Sequence, residues 1–136
     1  MRLALAALLA LIPATASAKA LPRHGTFVYS SLCWEKASGD ASGVRFAFTR
    51  GRKGASLVYE YGHGPLQSAR ITSLNVDGDR IQAEASTSDG ELGMAAALGA
   101  RTAKVSILFD NRKDGPPDVR TLKRIKRFRQ KIPTCR

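Results

Sequence analysis

The feature that most restricts how this chain can fold is a series of short segments in which apolar residues recur at every second position. Val44, Phe46 and Phe48 alternate with Arg45, Ala47 and Thr49, and Leu57, Tyr59 and Tyr61 alternate with Val58 and Glu60. Ile81, Ala83 and Ala85 repeat the pattern. The cleanest case is Ala103, Val105, Ile107 and Phe109, set against Lys104, Ser106 and Leu108. Side chains of a strand point alternately to its two faces, so each segment reads as a strand with one buried face. A first segment is apolar on both faces, with Phe27, Tyr29, Ser31 and Cys33 on one and Val28, Ser30, Leu32 and Trp34 on the other. Its second face therefore needs a cover.

Turn residues separate these segments roughly every eight to twelve positions, the spacing of an antiparallel meander. They are the cluster KASGDAS at 36–42, Gly51 to Gly54, Gly62 to Pro65, Asp77-Gly78 and Ser88 to Gly90. Within 66–76, Ile71 and Leu74 fall out of phase, which a β-bulge near Thr72-Ser73 reconciles. Residues 91–100 (ELGMAAALGA) suit a strand by alternation or a short helix by alanine content, and we read them as a strand. No helical pattern lies between strands, so parallel βαβ units are not expected. The fold class is all-β: an antiparallel β-barrel or barrel-like sandwich of about seven to eight strands.

Residues 1–18 (MRLALAALLALIPATASA) have the charge, apolar core and small-residue end of an export signal, with a mature terminus at Lys19 or Leu21. The apolar run is well short of the roughly 20 residues of a membrane span. Residues 19–136 then form one periplasmic or secreted monomeric domain, with no transmembrane segment. In that oxidising setting the two cysteines, Cys33 and Cys135, are expected to pair.

The tail changes period. Leu122, Ile125, Phe128 and Ile132 fall on one arc at helical spacing, Asp118 is a fitting N-cap and Pro133 a stop, so the pattern predicts an amphipathic helix over 118–132. Residues 118–136 hold eight Lys and Arg against one Asp. Lys123, Arg124, Lys126, Arg127 and Lys131 would form a basic ridge suited to an anionic surface. Nucleic acid is not an expected partner, because the aromatic residues alternate as core rather than as stacking platforms.

Catalytic chemistry finds little to work with. The two histidines, His24 and His63, have no neighbours at metal-ligand or triad spacing. Aspartates 77, 79, 89, 110 and 114 sit at turns, where their side chains serve the backbone. Neither catalytic residues nor metal ligands nor a cofactor are assigned, and the chain is not expected to be an enzyme.

The order of signal, Gly25-x-Phe27 opening the first strand, antiparallel meander and closing helix resembles the lipocalin-like (calycin) barrels, with Phe27 standing where that family carries Trp. Arg112 is similar to the arginine that packs over the first-strand aromatic in that family. The resemblance implies a cavity for a small apolar or amphipathic ligand, lined here by Phe27, Tyr29, Phe46, Phe48, Tyr59 and Tyr61. These residues are also the expected core. Small exported lysozyme-inhibitor barrels look similar in outline. They suggest the alternative of a protein-interaction or inhibitor module acting on an acidic envelope partner through loops 50–54 and 62–65.

Overall fold

The computed structural model describes residues 20–109 and 116–136; the expected export signal and Arg112 lie outside them. Among the described residues the chain forms β1 (Gly25–Ser30), β2 (Cys33–Trp34), β3 (Ala41–Gly51), β4 (Gly54–Gly64), β5 (Leu66–Asp77), β6 (Arg80–Thr87), β7 (Gly90–Leu98), β8 (Thr102–Phe109) and β9 (Asp118–Ile125). From β3 to β9 each strand pairs antiparallel with the next, and β1 pairs with both β3 and β9. The result is a closed eight-stranded barrel, with the two-residue β2 outside it as an extension on β3. Closure settles the choice between barrel and sandwich. Among the described residues no helix is long and apolar enough to cross a membrane.

The alternating segments set the inside. Phe46, Phe48, Tyr59, Ile81, Val105 and Leu122 are among the largest side chains almost wholly removed from water. Burying each contributes about 1.5–3 kcal/mol before conformational entropy is subtracted. The anticipated bulge is present, as a register shift between Ile71 and Ser73 that brings both Ile71 and Leu74 to the core side. Residues 91–98 are strand, their Leu92, Met94, Ala96 and Leu98 all buried.

Two expectations are corrected. The first segment is not one strand. It bends at Ser31, whose backbone N–H donates to the Val44 carbonyl (2.8 Å) and whose hydroxyl accepts from the Val44 N–H (3.1 Å). A side chain at Gly43 would place its Cβ 2.5 Å from the Ser31 carbonyl oxygen, and Gly43 has φ of +102°, so glycine is required there.

The second correction is the C-terminal helix over 118–132. Residues 118–125 are β9, in register with β8 from Thr102↔Lys123 to Ile107↔Asp118. A helix would have left the edges of β1 and β8 unpaired, and β9 satisfies both at once. The apolar stripe Leu122, Ile125, Phe128 is therefore dispersed. Leu122 is inside the barrel, Ile125 pairs with Val28, and Phe128 lies over the Arg45 guanidinium at 4.7 Å.

Beyond β9 the chain crosses the outer face of β3. There Arg45, 6% exposed, pairs with Glu60 at 2.6 Å and donates to the Gln130 carbonyl at 3.3 Å. The tail then runs alongside β2, the Trp34 N–H donating to the Pro133 carbonyl and the Cys135 N–H to the Trp34 carbonyl, both at 2.8 Å. The expected disulfide joins Cys33 and Cys135 there, their Cα atoms 4.8 Å apart. On the outer side of the first segment, Val28 and Leu32 are buried and Trp34 stays 37% exposed.

Candidate functional site

The two ends of the barrel differ. One is plugged by the entry segment, whose Leu21 side chain joins the core. Arg50 holds the plug: its guanidinium donates to the carbonyls of Leu21 (3.1 Å), Pro22 (2.7 Å) and Gly78 (2.8 Å) and to the Asp79 carboxylate (2.9 Å). Arg50 and Arg124 both lie over the Phe27 ring, at 5.5 and 5.2 Å. The Tyr29 hydroxyl donates to the Gly99 carbonyl at 2.7 Å, and burial raises its pKa against the opposing pull of Arg124. Every polar group named here has a partner, and this end is sealed.

The other end holds a cavity of about 480 Å³. Its walls are Val44, Tyr59, Tyr61 and Ile107, and its rim includes His63, Asp89, Phe109, Asp118 and Arg120. Strand direction explains the grouping: β4 ends here, β9 begins here, and the β6–β7 turn delivers Asp89. The volume falls within the range of small-molecule pockets. Eight-stranded barrels are at the size where the interior is either filled or holds one small ligand.

The polar groups around this mouth are unevenly satisfied. The Tyr61 hydroxyl lies 2.8 Å from Gln67 Oε1 and 3.1 Å from Asp89 Oδ2, and Ser88 also donates to Gln67. Arg120 Nε donates to Asp118 Oδ2 at 2.8 Å. The Tyr59 hydroxyl is buried and, among the described residues, has no hydrogen-bond partner. Such a group costs about 1–3 kcal/mol, so a buried donor with nothing to bond needs an explanation. Burial also drives its pKa well above the usual phenol range, against the lowering effect of Arg120, so it stays a neutral donor.

Of the six aromatic candidates, the structure brings all to the interior but only Tyr59 and Tyr61 to this cavity. Phe27, Tyr29, Phe46 and Phe48 are packed beyond it, each at most 2% exposed. The five basic candidates do not form one ridge. Strand alternation separates outward Lys123 from Arg124, which turns over Phe27, while Lys126, Arg127 and Lys131 belong to the tail. Loops 50–54 and 62–65 lie at opposite ends of β3 and β4, so they form no common surface.

From the sequence Asp89 is only a turn residue, Phe109 a core position and Asp118 an N-cap, and Arg120 has no role; none is a site candidate. Reading the tail with period 2 aligns Arg120, Leu122 and Arg124, which is the signal that places Arg120 inward. Chemically, the mouth offers an apolar wall and hydrogen bonds. Among the described residues its lining pairs no Ser, Cys or Lys with a base. Glu35 lies near the two cysteine sulfurs, but their disulfide leaves no thiolate for a metal.

Comparisons with protein-family models, with curated proteins and with solved structures found no match. On geometry alone, the closed eight-stranded antiparallel barrel is compatible with a calycin-like barrel.

Proposed function

We propose that this chain is an exported, non-enzymatic binding module that takes one small amphipathic ligand into the open end of its barrel. The observation that carries the reading is the buried Tyr59 hydroxyl, unpartnered among the described residues, beside a cavity of about 480 Å³. A ligand atom that bonds this hydroxyl removes a penalty already present in the free protein, and that gain is specific to polar heads. The body of the ligand rests on Val44, Ile107 and the edge of Phe109. Arg120, Asp118 and Asp89 meet its polar end at the rim. Few polar groups on an apolar wall is the usual composition of such sites.

Native mass spectrometry of gently purified protein, followed by titration with a fluorescent amphiphile, tests this. One equivalent should bind saturably, and Ile107→Trp, which fills the cavity, should abolish binding while the chain stays folded. Absence of saturable binding across a panel of amphiphiles, in protein that also carries none on purification, would overturn the proposal.

A further inference from the structure

A second concavity lies on the outside of the sealed end. It is an open groove of about 650 Å³ lined by Thr26, Ala100, Arg101, Lys126 and Gln130, together with Arg124 and Ile125 of β9. Three of these residues are cations and none is a carboxylate. Among the described residues, none of the three cations forms an ion pair.

The groove is also held in shape without any ligand. Arg124 stacks over Phe27, its Nη1 donates to the Ala100 carbonyl at 3.3 Å, and its backbone N–H donates to the Arg101 carbonyl at 2.8 Å. These contacts keep Arg101 and Arg124 side by side. Across from them, Gln130 Oε1 accepts the backbone N–H groups of Lys126 and Arg127, each at 3.2 Å. That fixes the turn carrying Lys126, and among the described residues the Gln130 amide hydrogens have no acceptor. For Arg124 and for the turn at Gln130, the ordering that binding would otherwise demand is in place beforehand.

We propose that this groove is a binding site for a phosphate group. Two guanidiniums and an ammonium around one concavity match the several oxygens and delocalised charge of a phosphate, which arginine forks meet with paired hydrogen bonds. Exposed Lys123, Arg127 and Arg129 nearby add a field that draws anions in. The site is independent of the mouth, at the other end of the barrel. A soluble phosphate ester and the headgroup of an anionic phospholipid both present this chemistry.

Amide chemical shifts would be followed by NMR while inorganic phosphate, or vesicles of phosphatidylglycerol in phosphatidylcholine, are added to the folded, disulfide-bonded protein. The shifts should centre on Arg101, Lys126 and Gln130. Saturation by inorganic phosphate alone would identify the soluble source, and a response only to phosphatidylglycerol vesicles would identify the lipid. Arg101→Glu with Lys126→Glu, both at exposed positions, should weaken binding at least tenfold. Lys36→Glu with Arg70→Glu, an equal charge change elsewhere on the surface, should weaken it less than threefold. Equal weakening by the two pairs would reduce the effect to net charge and overturn the proposal. So would a parent protein whose groove amides respond to neither probe.

Discussion

The Tyr59 hydroxyl, enclosed at 1% exposure of its residue and without a partner among the described residues, sets stability against binding at a single atom. Tyr59→Phe removes the unpaired donor and should raise stability by about 1 kcal/mol, read as a melting point a few degrees higher. The same change should weaken a ligand with a polar head about tenfold, because the variant no longer offers the bond. A variant that melts lower than the parent would show that the hydroxyl is satisfied in the free protein. Tyr59 also has an alkaline signature. Its folded pKa is raised above the ordinary 10.0, chiefly by burial, so below pH about 10 both states hold the proton and stability is full. As pH rises past that value the unfolded chain ionises first, and stability should fall by up to about 1.4 kcal/mol per pH unit. Tyr29 is raised in the same direction and adds to this. Absorbance titration of the phenols alongside denaturant melts would check both. Gly43 makes a different residue-scale point. Gly43→Ala forces a left-handed backbone on an L-residue and drives its Cβ into the Ser31 carbonyl, so it should cost more than about 2 kcal/mol in a denaturant melt.

In the sheet, two ion pairs of similar length, one joining two strands and one within β9, are expected to differ widely in worth. Arg45 and Glu60 join β3 to β4 at 2.6 Å with side chains 7% and 17% exposed, under the Phe128 ring of the tail. Arg45→Ala leaves Glu60 unpaired in a sheltered site and should cost about 3 kcal/mol. Arg120 and Asp118 meet at 2.8 Å but are 41% and 49% exposed. Arg120→Ala should therefore change stability by less than about 0.5 kcal/mol, while lowering affinity at the mouth. Urea melts of the two variants give the comparison directly, and similar losses would show that burial does not separate the pairs. The elements also show where local pattern is decisive. Asp77-Gly78, the bulge at Ile71 to Ser73 and the alternation at 103–109 were readable because each is dictated by residues a few positions apart. The end of the first strand was not, because Ser31 bends against Val44 on another strand.

For the molecule as a whole, the disulfide spans 102 residues and so closes the whole barrel from the end of β1 to the tail into a single loop. Restricting a loop of that size in the unfolded state is worth about 4–5 kcal/mol in the chain-entropy model. Cys135→Ser should lower the melting temperature by on the order of 15 °C and expose the tail to trypsin after Lys126, Arg127, Arg129 and Lys131. A variant that melts like the parent would show that the tail's contacts with Trp34 and Arg45 hold it without the bond. The all-β class, the turn positions, the pairing of Cys33 with Cys135 and the burial of the six aromatics follow from the sequence alone, since alternation, turn chemistry and cysteine number act locally or leave one choice. Only the tertiary structure decided that 118–125 is a strand, that Arg120 and Arg124 face the two barrel ends, and that the cavity belongs to Tyr59 and Tyr61 rather than to Phe46 and Phe48. The physical reason is closure: β9 is specified less by its own weak alternation than by the unpaired edges of β1 and β8, which meet only once the rest of the barrel has formed.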